Sequence, residues 1–358
     1  MSVVELTTFT VSSERTAEML AARPAMLAAF REDRRGFRSA QLVRLDEDRW
    51  LDIVVWTDAA ALDESRRKGA NQPAITAFFD TIAELVSSER AVRYDDDAAP
   101  GPSVRTVAYG PHPAQVGELY LPAGPGPHPV AVLIHGGFWS ARYDRRLSVP
   151  QALDLVDAGY AAWNIDYRGI GNGGGWPGTF DDVAAAMDAL DGMDPALDLT
   201  RVTVIGHSAG GQLAVWASAR GRLPAEAPGH GPRVLPSAVV SLAGVLDLIA
   251  GEKEQVGAML IPGGAVRGLL GGQFPEVPER YEWASPALLP TDVPTLAVHG
   301  TADDLVPVCY SQVYHWAVTA GGTPAELVEL PGVGHFELID PTSEGWRVVR
   351  NWLVANDD

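Results

Sequence analysis

Val202-Thr203-Val204-Ile205-Gly206-His207-Ser208-Ala209-Gly210-Gly211 is the stretch from which the rest of the chain is read. An apolar run of β type enters a Gly-x-Ser-x-Gly turn, and a small-residue helix, Gln212-Leu213-Ala214-Val215-Trp216-Ala217, leaves it. A sharp strand-to-helix turn of this kind presents a single serine at its tip. The turn is crowded, so glycine at 206 and 210 lets the backbone pack closely there. The new helix directs backbone N–H groups and its positive dipole end toward developing negative charge. Five residues alone do not make a site; the reading depends on partners elsewhere in the chain.

A serine hydroxyl is a poor nucleophile until a base takes its proton. Two late segments offer the missing groups. Thr295-Leu296-Ala297-Val298-His299-Gly300-Thr301-Ala302-Asp303-Asp304 reads as a buried strand ending in an acidic loop. Leu327-Val328-Glu329-Leu330-Pro331-Gly332-Val333-Gly334-His335-Phe336 reads as another strand whose following loop carries a histidine. Ser208, Asp303 and His335 are therefore the candidate catalytic residues, each just past the carboxyl end of an expected strand, where ligands sit in open α/β sheets. Asp304 competes with Asp303, and Asp247 after another strand is the reserve acid. His207 is assigned to packing, and His299 to shaping the acid loop. A tetrahedral intermediate also needs N–H donors. The turn His135-Gly136-Gly137-Phe138-Trp139 follows the apolar strand Val130 to Ile134 and supplies Gly137 or Phe138, alongside Ala209 after the serine. His135 is read as holding this loop. Trp139 and Trp176 are expected to line the substrate pocket.

One motif is a decoy. Gly173-Gly174-Gly175-Trp176-Pro177-Gly178 matches Gly-x-Gly-x-x-Gly, but a dinucleotide site needs those glycines directly between strand and helix. Here Asp166-Tyr167-Arg168-Gly169-Ile170-Gly171 intervenes. No cluster of His, Asp or Glu has metal-ligand spacing, so no metal is expected.

The 358 residues exceed the size at which one core grows comfortably, so two domains are expected. With 46% apolar residues the chain can fill packed cores. A net charge of -19 argues against nucleic acid and against anionic membranes. A single cysteine, Cys309, excludes an internal disulfide. The first residues have no basic, apolar signal pattern and no run is long enough to span a membrane, so a cytoplasmic protein is expected.

Residues 1–95 read as a separate β-α-β-β-α-β unit of ferredoxin-like, α+β type. Its expected elements are a strand from Val3 to Val11, a helix from Ser13 (as N-cap) to Arg31, strands Phe37 to Leu45 and Trp50 to Trp56, helices Ala59 to Lys68 and Ala74 to Val86, and a closing strand Ala91 to Tyr94. The acidic, Pro/Gly-rich residues 96–103 are the linker. From residue 104 to 358 strands alternate with helices, as in a mostly parallel sheet covered on both faces. Expected there are an opening hairpin (Val104 to Tyr109, Val116 to Leu121), a helix Thr179 to Met193 capped by Thr179, and a last helix Ser343 to Val354. Residues 249–290 break the alternation and read as a partial lid.

These motifs carry two resemblances. His135 to Trp139, Gly206 to Gly211, His299 to Pro307 and Gly334-His335-Phe336 together resemble the α/β-hydrolase fold, closest to its kynurenine formamidase-like and hormone-sensitive-lipase-like esterases, over residues 104–358. The chain order Ser, Asp, His is that of this fold, and the run from His299 resembles its His-Gly-x-x-Asp-x-x-Val-Pro form, which favours Asp303 over Asp304. The hormone-sensitive-lipase pattern has a third glycine where this chain has Phe138. The resemblance implies a serine hydrolase that cleaves carboxylic esters of small or aromatic substrates through an acyl-enzyme, without a cofactor, or an arylformamidase or peptidase on the same residues. Gly36 to Leu42 with Trp50 to Trp56 resembles the antibiotic-biosynthesis-monooxygenase-like, dimeric α/β barrel domains. That implies a homodimer through residues 1–95, or a two-domain secondary-metabolism enzyme with ring or oxygen chemistry in the amino-terminal domain.

Overall fold

Strict alternation in Arg49–Trp56 sets the first sheet: Trp50, Asp52, Val54 and Trp56 are buried, while Leu51, Ile53 and Val55 between them are half-buried on the opposite face. The computed structural model describes residues 3–92 and 102–356. The chain divides into two compact units, Met1–Ala98 and Ala99–Asp358. The first contains β1 (Val3–Thr10), α1 (Thr16–Asp33), β2 (Phe37–Arg44), β3 (Arg49–Trp56), α2 (Ala59–Lys68), α3 (Pro73–Phe79) and β4 (Glu84–Val92). Its strands pair antiparallel in the order β2-β3-β1-β4, a ferredoxin-like arrangement. Phe9, Met26, Phe30, Trp56, Leu62 and Phe78 fill the space between sheet and helices. Asp52 falls on this buried face and is neutralised by Arg23, which grips both carboxylate oxygens at 2.9 and 2.6 Å.

Three expectations for this unit need correction. Ser13 caps nothing: α1 starts at Thr16, with Arg15 at the N-cap and no side-chain cap. The helix expected over Ala74 to Val86 stops at Phe79, where Thr81 Oγ1 donates to Phe78 O at 2.6 Å. Leu85 and Val86 belong to β4, because pairing along the whole of β1 outweighs their helical spacing. The closing strand therefore starts earlier than Ala91; Arg93 and Tyr94 lie outside the described residues, as does all of the linker except Pro102 and Ser103, and Ser103 already belongs to the next strand.

The second unit contains β5 (Ser103–Ala108), β6 (Val116–Leu121), β7 (His128–Ile134), α4 (Val149–Asp157), β8 (Ala161–Ile165), α5 (Gly178–Asp188), β9 (Leu197–His207), α6 (Ala209–Ser218), β10 (Ala238–Leu242), α7 (Leu248–Lys253), α8 (Ala265–Leu270), α9 (Pro278–Ala284), β11 (Thr295–Gly300), α10 (Cys309–Ala320), β12 (Ala325–Leu330) and α11 (Glu344–Ala355). The eight strands run β12-β11-β10-β9-β7-β8-β6-β5. The pairs from β8 to β12 are parallel, and the β5–β6 hairpin joins them antiparallel through β8.

Continuous apolar strands follow from burial on both faces. Val130, Val132 and Ile134 of β7 pack with Phe180, Leu213 and Trp216 on one side. Ala131 and Leu133, between them, pack with Leu155, Val240 and Trp346 on the other. The last helix begins as expected, with Ser343 Oγ accepting the Trp346 amide at 3.1 Å. Thr179 does not cap α5. Its hydroxyl donates to Arg168 O at 2.6 Å and Pro177 holds the N-cap position. Asp182 is fully buried and takes the Arg168 guanidinium and Gln115 instead. That helix ends at Asp188, ahead of the left-handed Gly192. Residues 249–290 contain most of α7 and all of α8 and α9.

Candidate active site

The loops after β7, β9, β11 and β12 meet at the carboxyl edge of the sheet. At the elbow the crowding is quantitative. A Cβ on Gly206 would lie 2.0 Å from Gly210 O, and one on Gly210 would lie 2.1 Å from Ile134 O. Ser208 sits between them with φ 56° and ψ -121°, a conformation that costs a non-glycine residue about 1–3 kcal/mol. Its amide donates to Leu242 O at 2.8 Å, which pins the elbow to β10.

Asp303 and His335 are joined directly, Oδ2 to Nδ1 at 2.6 Å. The other carboxylate oxygen accepts the Leu305 and Val306 amides, both at 2.9 Å. His299 stands 3.3 Å from Oδ2 through Nε2, which also bonds Val306 O at 2.9 Å, while its Nδ1 meets Ser311 Oγ at 2.7 Å. A carbonyl only accepts, so Nε2 of His299 carries the proton and Ser311 donates to Nδ1. Burial would raise the Asp303 pKa, but the hydrogen bonds from His299, His335 and Val306 outweigh it and hold the carboxyl well below its ordinary range. An ionised Asp303 fixes the His335 proton on Nδ1 and leaves Nε2 as an acceptor.

His207 packs its ring 4.5 Å from that of His335 and bonds His335 O through Nε2 at 3.0 Å. Burial, and then the neighbouring His335, push its pKa down to about 3, so it stays neutral and braces the base. Asp304 is exposed, and Asp247 caps α7 through the Ile249 and Ala250 amides. Neither competes for His335. Ser208 Oγ makes no hydrogen bond to His335 among the described residues; contacts between nucleophile and base commonly tighten only as substrate binds.

The loop His135 to Trp139 passes over the elbow: a Cβ on Gly136 would lie 2.9 Å from His207 O and 3.0 Å from Ser208 Cβ. Gly137, Phe138 and Trp139 all have positive φ, 113°, 54° and 54°. Among the described residues the Gly137 and Phe138 amides donate to no backbone acceptor. Ala209 opens α6, so its N–H has no partner within the helix. His135 anchors the loop, stacked on Tyr167 at 4.5 Å with Nδ1 bonded to Gly136 O at 2.7 Å. Burial lowers its pKa.

Trp139 departs from the sequence reading. Trp139 is 0% exposed and donates from Nε1 to Gln212 Oε1 at 3.0 Å, so it anchors the loop and offers no surface to a ligand. Trp176 is half-buried in an aromatic cluster, 5.1 Å from Phe180 and 6.3 Å from Trp283 of α9. The glycine-rich loop around it wraps Arg168; a Cβ on Gly174 would lie 2.0 Å from Arg168 O. Its Gly174 and Gly175 amides are spent on Gly169 O and Thr179 Oγ1, which leaves those two no donors for a phosphate. Sequence reasoning missed Gln212, Ser311 and Tyr167, whose roles depend on segments far away in the chain.

The sequence profile of the BD-FAE family matches residues 118–317, from β6 into α10. This chain belongs to the BD-FAE family. The profile of the antibiotic biosynthesis monooxygenase family matches residues 2–81. Esterase LipQ from Mycobacterium tuberculosis is 27% identical over 238 residues, which cover 63% of this chain and 53% of LipQ. The chain thus matches about half the length of that curated relative. Among solved structures, esterase B from Lactobacillus rhamnosis aligns with a TM-score of 0.62 at 20% identity, over 96% of each chain. A truncated carbohydrate esterase from gut microbiota aligns at 0.61 and 21% identity, over 73% of this chain and 98% of its own. A thermophilic esterase from the Planctomycetes species Thermogutta terrifontis aligns at 0.55 and 22% identity, over 74% of this chain and 96% of its own. These likenesses agree with the strand order: this BD-FAE protein has an α/β-hydrolase fold preceded by a small ferredoxin-like unit.

Proposed function

We propose that the second unit is a serine hydrolase of carboxylic esters with small or aromatic groups. One observation carries the reading: the 2.6 Å Asp303–His335 pair stands beside an elbow that holds Ser208 in a strained conformation. His335 Nε2 takes the Ser208 proton as Oγ bonds to the ester carbonyl carbon. The carbonyl oxygen becomes an oxyanion facing the Gly137 or Phe138 amide and that of Ala209. His335 then returns the proton to the alkoxy oxygen, which leaves as alcohol. Water, deprotonated by the same nitrogen, releases the acid and restores Ser208. Ser208 is 3% exposed, and α8 packs near Phe138, which favours short acyl groups. Residues 249–290 act as the lid. The full chain should hydrolyse p-nitrophenyl acetate with a burst of nitrophenol equal to the enzyme present. Rates on matched ester, formamide and peptide separate esterase from arylformamidase and peptidase. No turnover of any of them sinks the hydrolase reading.

A homodimer through the first unit is proposed from the open face of its sheet, where Leu6 sits opposite Ile53 and Val4 opposite Val55. The full chain should sediment as a dimer and Ile53→Glu as a monomer; equal sedimentation of the two contradicts this. Among the described residues no helix is long and apolar enough to cross a membrane, and we place the activity in the cytoplasm.

A second reading has an observation of its own. A cavity of about 400 Å³ in the first unit is lined by Phe9, Met26, Phe30, Val54 and Phe78, with Asp52 at its wall. It supports ring or oxygen chemistry that would make the substrate the hydrolase consumes. Oxygen uptake by the full chain with polycyclic phenols, lost in Val54→Trp, is the expected result; no uptake removes this reading.

A further inference from the structure

Gln212 is 0% exposed on α6, one turn beyond Ser208, and its carboxamide is used in two directions. Oε1 accepts the Trp139 indole N–H at 3.0 Å, and Nε2 donates to Ala284 O at 2.8 Å. Trp139 belongs to the loop over the elbow, and Ala284 is the last residue of α9. A helix end leaves its last carbonyls without an intrahelical partner, so Ala284 O is free to accept. The two ends of the insertion are tied together at the same place, with Leu248 N donating to Ser285 Oγ at 3.1 Å and Ala287 N to Leu246 O at 2.9 Å. Phe138 also meets the insertion: a Cβ on Gly257 would lie 2.7 Å from its ring.

Phe138 and Trp139 are consecutive aromatic residues at φ 54°. Such backbone persists only where its surroundings over-determine it. The Gln212 bridge holds the loop at Trp139, and Gly257 packs close to it at Phe138. We infer that Gln212 is a positioning residue, one carboxamide that ties the insertion to the loop and so holds the Phe138 and Gly137 amides in place for the oxyanion. The inference rests on the esterase reading. Position 212 needs one acceptor and one donor on a single side chain of this length. Glu supplies two acceptors, Met neither, and Asn falls one methylene short.

Gln212→Met keeps the volume and removes both bonds; Trp139→Phe removes only the donor of one. In the full chain each should lower kcat for p-nitrophenyl acetate about 10–100-fold with KM within about threefold, as for a loop misplaced by a fraction of an ångström. Affinity for a trifluoromethyl ketone, which binds as a tetrahedral oxyanion, should fall by the same factor. The double variant should be no slower than the worse single one, because both break the same bridge. If Gln212→Met fails to fold, Trp139→Phe carries the test alone. Lowered melting temperature with kcat and ketone affinity within about twofold of wild type would make the bridge merely structural and overturn the inference. A wild type inert to acetate and to phosphonate would instead overturn the esterase reading.

Discussion

Ser208→Ala lowers kcat on p-nitrophenyl acetate by about 10⁶, with KM changed by no more than a few-fold. The substitution removes the one atom that bonds to substrate and little else. Ser208 Oγ makes no hydrogen bond among the described residues, and alanine keeps the Cβ that packs near Gly136. The elbow's contacts are made by backbone: Ser208 N to Leu242 O, and the Gly211 amide to Ser208 O at 3.0 Å. The melting temperature should therefore stay within a few degrees of wild type. What survives in the variant is binding and the oxyanion donors, which still leave a rate above that in water. A fall of only tenfold would mean another group attacks the ester.

Asp303→Asn lowers kcat by about 10⁴, and the geometry says why. One oxygen of Asp303 holds two amides, those of Leu305 and Val306, so the amide oxygen of an asparagine must stay there. Its NH₂ then faces His335 Nδ1. Two donors cannot pair, so the His335 proton moves to Nε2 and the base presents a hydrogen to Ser208 instead of a lone pair. His299 Nε2, also a donor, meets the same NH₂ at what is now a repulsive contact. Asp247→Asn is the matched control. Asparagine caps a helix as well as aspartate does, so α7 survives and kcat is unchanged. Near-normal turnover in Asp303→Asn alongside a dead Asp247→Asn would reverse the assignment of the acid.

The elements that sequence made legible are those whose signal is local. Val130 to Ile134 is apolar without a break and Ala238 to Leu242 is apolar but for Ser241, because helices cover both faces, and both form strands. Gly206 and Gly210 are glycines because backbone lies within 2.1 Å of where their side chains would be. Ser343 caps its helix as a serine before a charged first turn should. What failed to show depends on distant chain. Leu85 and Val86 follow a helical period, but a full-length strand partner claims them. Thr179 and Asp182 look like a capping pair, yet Arg168, 11 and 14 residues away, takes both. Trp139 looks like a pocket wall, because nothing in its neighbours reveals a glutamine 73 residues later that buries it.

That Ser208 is the nucleophile is tested by intact mass after exposure of the full chain to a fluorophosphonate, for wild type and Ser208→Ala in parallel. One adduct is expected on wild type, blocked by excess p-nitrophenyl acetate, and none on the variant. An adduct of equal yield on Ser208→Ala, or none on a wild type that still turns over ester, would contradict it.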